Sequence, residues 1–332
     1  MGHLLFCTAA CFLFCNVEKI SAAGQEVDKP EVRSVAKIWD QAQHNAFTDL
    51  IRFDGGWLCV FREAERHVYG RDGQIRVIWS KDGEQWESAA LLSEKGVDLR
   101  DPKISRMPDG RLMIVMGGSV YDGQTFVGRQ SRVAFSKDGR TWTASQKVLS
   151  PGQWLWRVTW HEGKAYGVTY ESGAAGHWPQ LLWKSADGLR WEQVTMLHVP
   201  GQAGETTLRF LGDGRMMAFV RRETGNCFAW VGTSAAPYTE WQWRETSHRV
   251  GGPNFIVLPD GQMWAAGRNY TDGTKTTVGR LSESGYEPLL TLPSGGDTSY
   301  PGLVWHDGLL WVSYYSSHEG KAAIYLAKIK LP

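Results

Sequence analysis

Cysteine, net charge and long apolar runs are all scarce in this sequence. Five of its 332 residues are cysteine, and three of these, Cys7, Cys11 and Cys15, fall within the first 23 residues. The remaining two, Cys59 and Cys227, make neither a disulfide framework nor a cysteine-based metal cluster. Lys plus Arg (36) balances Asp plus Glu (35), a formal net charge of +1, so the chain has no basic footprint for nucleic acid and no charged tail. Beyond the leader, no segment approaches the roughly 18 apolar residues of a membrane span. The leader itself has a short apolar run, Leu4 to Cys15, and small residues, Ser21-Ala22-Ala23, before Gly24. It resembles a secretory signal, although its first residues offer only His3 as a basic group. Cys11 or Cys15 would serve a lipoprotein anchor, but neither sits in a convincing lipobox. The expected organisation is a signal peptide at 1–23 and one domain at 24–332, secreted or periplasmic and stabilised by core burial.

Glycine (38) and tryptophan (17) are abundant instead, a mixture that favours short strands and turns over long helices. The motif S-x-D-G-x-x-W occurs three times: SKDGEQW from Ser80, SKDGRTW from Ser136 and SADGLRW from Ser185. Asp and Gly accept a tight hairpin turn, Ser and Asp bond local N–H groups, and Trp packs beneath. Spacings of 56 and 49 residues mark a repeated unit. A second series lies between: Asp54-Gly55, Asp109-Gly110, Glu162-Gly163, Asp213-Gly214, Asp260-Gly261 and Asp307-Gly308, separated by 55, 53, 51, 47 and 47 residues. Two hairpins per period make four strands, the unit of a propeller blade. Six periods predict an all-β fold, a six-bladed β-propeller whose blades are four-stranded antiparallel meanders. The last blade runs out after its third strand, 322–331, and EVRSVAKIW (31–39) supplies the missing outer strand.

In such a meander both turn series lie on the back face. Counting along the strands puts Arg62, Gly117, Tyr170, Arg221, Arg268 and Tyr315 at the front ends of second strands. First strands reach the front around His44 to Ala46, Asp101, Arg157, Glu205, Asn254 and Tyr300. Three arginines among six equivalent positions point to a carboxylate, because a planar guanidinium fork matches two oxygens. His44 and His67 have no partner at metal-ligand spacing and read as hydrogen-bonding or sugar-contacting residues, so no metal and no cofactor are predicted. Asn269-Tyr270-Thr271 matches a glycosylation sequon, a pattern common by chance.

From about residue 40 to 330 the chain resembles the sialidase (neuraminidase) superfamily, whose hallmarks are these Asp-box turns on a six-bladed propeller. RDPKI from Arg100 resembles that family's R-D-P. ETTLRFLGDGRMMAFVRRE, Glu205 to Glu223, is similar to its segment with a catalytic Glu, a turn and an arginine. DTSYPGLVWHDGLLWVSYY resembles the stretch carrying its nucleophilic tyrosine. The resemblance implies an exo-acting glycosidase with Tyr300 as nucleophile, Glu205 as the base that takes its proton, and Asp72 as acid/base. Arg221, Arg268 and, less directly, Arg222 would hold the sugar carboxylate, and Asp101 would line the pocket. Strand alternation points Arg222 away from Arg221. The sequence departs from the family at its first arginine motif: HNAFTDL from His44 stands there, with Ala46 near the arginine's position. Arg62, on the next strand, is the candidate replacement; otherwise His44 and Asn45 recognise hydroxyls of another sugar.

Two other functions fit the same scaffold. One is a uronate-specific glycosidase or a polysaccharide lyase, the lyase using Tyr300 or His44 to take a proton alpha to a carboxylate neutralised by arginine, and HNAFTDL favours such a departure. A non-catalytic glycan-binding propeller would stack tryptophans on sugar faces. The expected partner in every case is a glycan or acidic sugar, with no nucleic acid and no membrane span.

Overall fold

Twenty-four strands make up the regular structure of the computed structural model, which describes residues 1–2, 29–171 and 178–332; no helix occurs among the described residues. Apart from Met1 and Gly2, the leader assigned to residues 1–23 lies outside them. The strands form six antiparallel four-stranded sheets: five at residues 44–92, 98–147, 154–197, 203–245 and 251–291, and a sixth that joins both ends of the chain. First strands of successive blades touch around a ring, and those of blades one and six also meet. This is the six-bladed propeller predicted from the two turn series. Glu31–Trp39 pairs antiparallel with Ala323–Lys330, with Val35 opposite Ala327, and closes the ring as expected.

Strand chemistry follows position in the blade. Second strands are covered on both faces by neighbouring blades, so they read as unbroken apolar runs, such as Trp57 to Phe61 and Leu112 to Met116, all essentially buried. The outermost strands, such as Glu87–Leu92, are mostly partly or fully exposed. At the closure Trp57 of blade one stacks on Trp311 of blade six with ring centres 4.1 Å apart.

The three S-x-D-G-x-x-W turns link third to fourth strands of blades one to three and share one bonding scheme. Ser80, Ser136 and Ser185 Oγ each accept the N–H of the turn glycine at 2.7–2.8 Å. The Asp138 carboxylate accepts the N–H groups of Arg140 and Thr141, and those bonds hold its pKa down to about 2; Asp187 does the same. Each Trp indole donates to the glycine carbonyl. The glycines are required twice over. Their φ is near +70 to +80°, and a Cβ would strike the preceding blade: Trp311 at Gly83, Leu58 at Gly139, Met113 at Gly188. Each turn therefore also seats its blade on a neighbour. Blade four keeps part of the device without the motif, since Trp241 donates to the carbonyl of Tyr238.

Candidate active site

Every first strand slips register at the same place, between Ala46 and Asp49, Arg100 and Lys103, Leu155 and Val158, Ala203 and Thr206, Gly251 and Asn254, and Ser299 and Gly302. A β-bulge re-aims the side chains at its extra residue. Phe47, Asp101 and Tyr300 there take left-handed φ of 64°, 50° and 51°. Such backbone costs on the order of 1–3 kcal/mol per non-glycine residue and persists only where the surroundings impose it. Six bulges thus turn six different residue sets toward one axial mouth, where Phe47, Trp156 and Tyr300 form an aromatic cluster.

Blades four, five and six meet there in a short hydrogen-bonded chain. The Tyr300 hydroxyl donates to Glu205 Oε1 at 2.6 Å, and Arg221 Nη1 lies 2.8 Å from that hydroxyl and 2.9 Å from Glu205 Oε2. The Gly252 N–H also donates to Oε2, at 2.8 Å. Gly252 has φ +59°, and a Cβ there would lie 2.7 Å from the Tyr300 ring, so glycine lets the phenol reach its carboxylate. Burial alone would raise the Glu205 carboxyl, but the Arg221 charge and the bonds from Tyr300, Arg221 and Gly252 hold it below the usual carboxylate range. Tyr300 is pushed well above the usual phenol range by burial and by Glu205, so it is a neutral hydroxyl.

Asp101 behaves oppositely. It keeps a solvent-facing edge, yet burial in the ring pushes its carboxyl up, Glu205 adds to the rise, and the pull of Arg100, Lys103 and His67 does not reverse it. Among the described residues no side-chain donor bonds to it. Beneath the mouth Lys103 is buried against the Trp156 ring at 4.8 Å, and burial lowers its pKa to about 8.

Across the mouth, Asp297 organises a second cluster. Its Oδ1 accepts from the Tyr315 hydroxyl at 2.6 Å and faces Arg268 Nη2 at 3.3 Å. Its Oδ2 lies 2.8 Å from His44 Nε2 and 2.7 Å from His67 Nδ1. Burial lowers the His44 pKa despite Asp297, while the two histidines and Tyr315 hold Asp297 ionised against burial.

Four arginines near the mouth already meet carboxylates. Arg221 pairs with Glu205 and Glu223, Arg268 with Asp297, and Arg62 and Arg100 share Asp98. Four guanidinium groups face four carboxylates, which leaves no surplus positive charge in this set.

The structure therefore gathers Tyr300, Glu205, Arg221, Arg268, Asp101 and His44, with residues from five blades, at one end of the ring. Two other predicted positions, Asp72 and Arg222, lie elsewhere, and a third, Arg62, is buried beneath the mouth. Asp72 is exposed on the loop before Gln74–Ser80 and lines a depression with Gln41, Glu65 and Arg71. Arg62 is 1% exposed and fixed to Asp98 at 2.8 Å. Arg222 turns outward to Glu245 and the Pro200 carbonyl, as strand alternation requires. Arg157 and Asn254 bond inside the ring, to Asp49 and to the Pro301 carbonyl. Sequence reasoning passed over Asp297, Asp98, Gly252 and Lys103. Asp297, three residues before Tyr300, and Lys103, in RDPKI, stand in stretches already singled out; Asp98 and Gly252 carry no local signal. A depression of about 810 Å³ between blades four and five, lined by Glu245, Gln262, Arg280 and Tyr286, belongs to the outer strands and not to the axial mouth.

No family model matches the chain, and no curated protein matches it in sequence. Solved structures do match in shape. A protein of unknown function from Dyadobacter fermentans superposes with a TM-score of 0.81 at 17% identity, covering 92% of this chain and 100% of that one. The α-L-arabinofuranosidase of Fusarium graminearum gives 0.71 at 13% identity, covering 90% and 98%. A sialidase of Trypanosoma rangeli gives 0.64 at 11% identity, covering 90% of this chain and 58% of that one. At these identities the likeness is one of fold.

Proposed function

We propose that the protein is a glycoside hydrolase acting on a neutral sugar, with Glu205 and Asp101 as its working carboxyl pair. The observation that carries this reading is the unequal surroundings of two carboxyls facing one mouth. Glu205 accepts from Tyr300, Arg221 and the Gly252 N–H, which lower its pKa, while no side-chain donor among the described residues bonds Asp101, whose pKa burial raises. Divergent carboxyls of this kind are how glycosidases separate an acid from a nucleophile or base. Asp101 delivers its proton to the glycosidic oxygen as the C–O bond breaks. Glu205 faces the anomeric carbon. It either bonds to that carbon as a transient ester, which water then displaces while Asp101 takes the water's proton, or removes the proton of a water that adds there directly. The Tyr300 hydroxyl and Arg221 orient the Glu205 carboxylate. His44, His67 and Asp297 face the sugar hydroxyls. The leader assigned to residues 1–23 places this activity outside the cytoplasm, where glycans are met.

The neutral-sugar assignment rests on charge. A sialic or uronic acid would need a guanidinium fork, and Arg221 and Arg268 are already matched by Glu205, Glu223 and Asp297. Displacing Arg221 would take from the buried Glu205 its ion-pair partner and leave it only the bonds from Tyr300 and Gly252, whereas Asp297 would keep Tyr315, His44 and His67 without Arg268. The shape match to an arabinofuranosidase over nearly its whole length supports a neutral furanoside as the first substrate to try.

A second reading is favoured by the 2.6 Å Tyr300–Glu205 bond: Tyr300 attacks the anomeric carbon while Glu205 takes its proton. Incubation with an activated fluoro-glycoside and mass spectrometry of the peptides separates the two. A covalent sugar on Tyr300 supports the second reading. A sugar on Glu205, or none with turnover intact, supports the first. A panel of neutral aryl furanosides and pyranosides, sialosides and uronides tests the class. Turnover confined to the acidic sugars would overturn it.

A further inference from the structure

The Asp297 cluster brings together the ligand types of a metal centre, apart from Glu205. We propose that His44, His67 and Asp297 hold a divalent transition-metal ion at the mouth of the propeller. One nitrogen of each histidine and one oxygen of Asp297 lie within 4.8 Å of one another. The two nitrogen-to-oxygen gaps, 2.8 and 2.7 Å, are close to the roughly 3 Å between neighbouring ligands at right angles around an ion with bonds of about 2.1 Å. Two imidazoles and one carboxylate with positions left open suit zinc, cobalt, nickel or iron better than calcium or magnesium.

The supporting contacts on Asp297 are of the expected kind, while His44 Nδ1 is buried with no partner. A ligating carboxylate is normally fixed by hydrogen bonds on its other oxygen, and Asp297 Oδ1 is held by Tyr315 and Arg268 while Oδ2 faces the histidines. His44 packs tilted against Phe47 and Tyr315, with ring centres 6.3 Å apart in both cases. His67 has a side chain 48% exposed, which leaves an entry path from solvent. The cluster lies at the mouth, where sugar hydroxyls would complete the coordination of a bound ion. The ligands come from blades one and six, separated in sequence by 230 residues or more, so no local spacing announces the site.

The test uses the full chain stripped of metal by a chelator, titrated with Zn²⁺ in a calorimeter and with Co²⁺ in a visible spectrophotometer. One ion per chain should bind saturably, Co²⁺ should show ligand-field bands of histidine coordination, and Zn²⁺ should displace it. His67→Ala, at a half-exposed position, should keep the fold by circular dichroism and lose affinity by about a hundredfold or more. Asp297→Asn should lose it similarly. Absence of saturable binding to the wild-type chain overturns the proposal. So does binding that His67→Ala leaves unchanged, which would place the ion elsewhere. Because binding is read without substrate, failure here leaves the Glu205–Asp101 reading untouched, and failure of that reading leaves this one.

Discussion

The back and front of the propeller use its repetition in opposite ways. On the back, three turns carry the same four residue types and the same bonds, all closed within eight residues. On the front, six bulges at equivalent positions carry unlike residues, including Phe47, Asp101, Trp156, Glu205, Gly252 and Tyr300, and their partners lie on other blades. The back spends its side chains on its own backbone and on seating the blades. The front holds buried ionisable groups under strain, which stability alone does not require. Repetition marks the scaffold, and departure from repetition at equivalent places marks the site.

This contrast breaks most sharply at Glu205. Glu205→Gln keeps the shape but removes the negative charge, and kcat/KM should fall by at least about a thousandfold with the thermal midpoint little lowered. Activity within tenfold of wild type would remove the front cluster from the chemistry. Asp101→Asn should cost about a hundred- to ten-thousandfold on substrates with poor leaving groups. The loss should shrink sharply on aryl glycosides with good leaving groups, since those need no proton; an equal loss on both would make Asp101 a structural residue. Gly252→Ala drives a methyl into the Tyr300 ring, and a smaller fall of about ten- to a hundredfold in kcat should follow, measurable beside an unchanged circular dichroism spectrum. Ser136→Ala on the back leaves the Gly139 N–H unpaired in a buried turn. It should cost about 1–2 kcal/mol in denaturant unfolding and leave kcat/KM unaltered. A back-face change that cost activity without stability would erase the distinction between the two faces.

What could be read from the sequence divides along the same line. Blade number, the closing strand 31–39 and the back turns were legible because a turn is encoded in adjacent residues and repeated. Glu205, Arg221, Arg268 and Tyr300 were placed at the mouth by counting from those turns. Counting could not show that Arg62 is held by Asp98, or that His44 and His67 meet on Asp297, because those contacts cross blades. Nor could it show that Asp72 faces outward, because a loop before a strand carries no period to fix its direction. The bulges were invisible for a related reason: the first strands mix polar and apolar residues with no clear two-residue period, so an inserted residue breaks no pattern.

The central claim is that two carboxyls at one mouth are poised in opposite states, and pH dependence tests it most directly. Arg221, Tyr300 and the Gly252 N–H act on Glu205, so the loss of its charge sets an acid limb below the ordinary value of 4.5. Arg100, Lys103, His67 and Glu205 surround Asp101, whose deprotonation sets an alkaline limb above the ordinary 3.8. The measurement is kcat/KM against pH on a neutral furanoside for wild type and Asp101→Asn. The account predicts a bell for the wild type and, in the variant, low activity with the alkaline limb gone. An alkaline limb that persists unchanged in Asp101→Asn would contradict it.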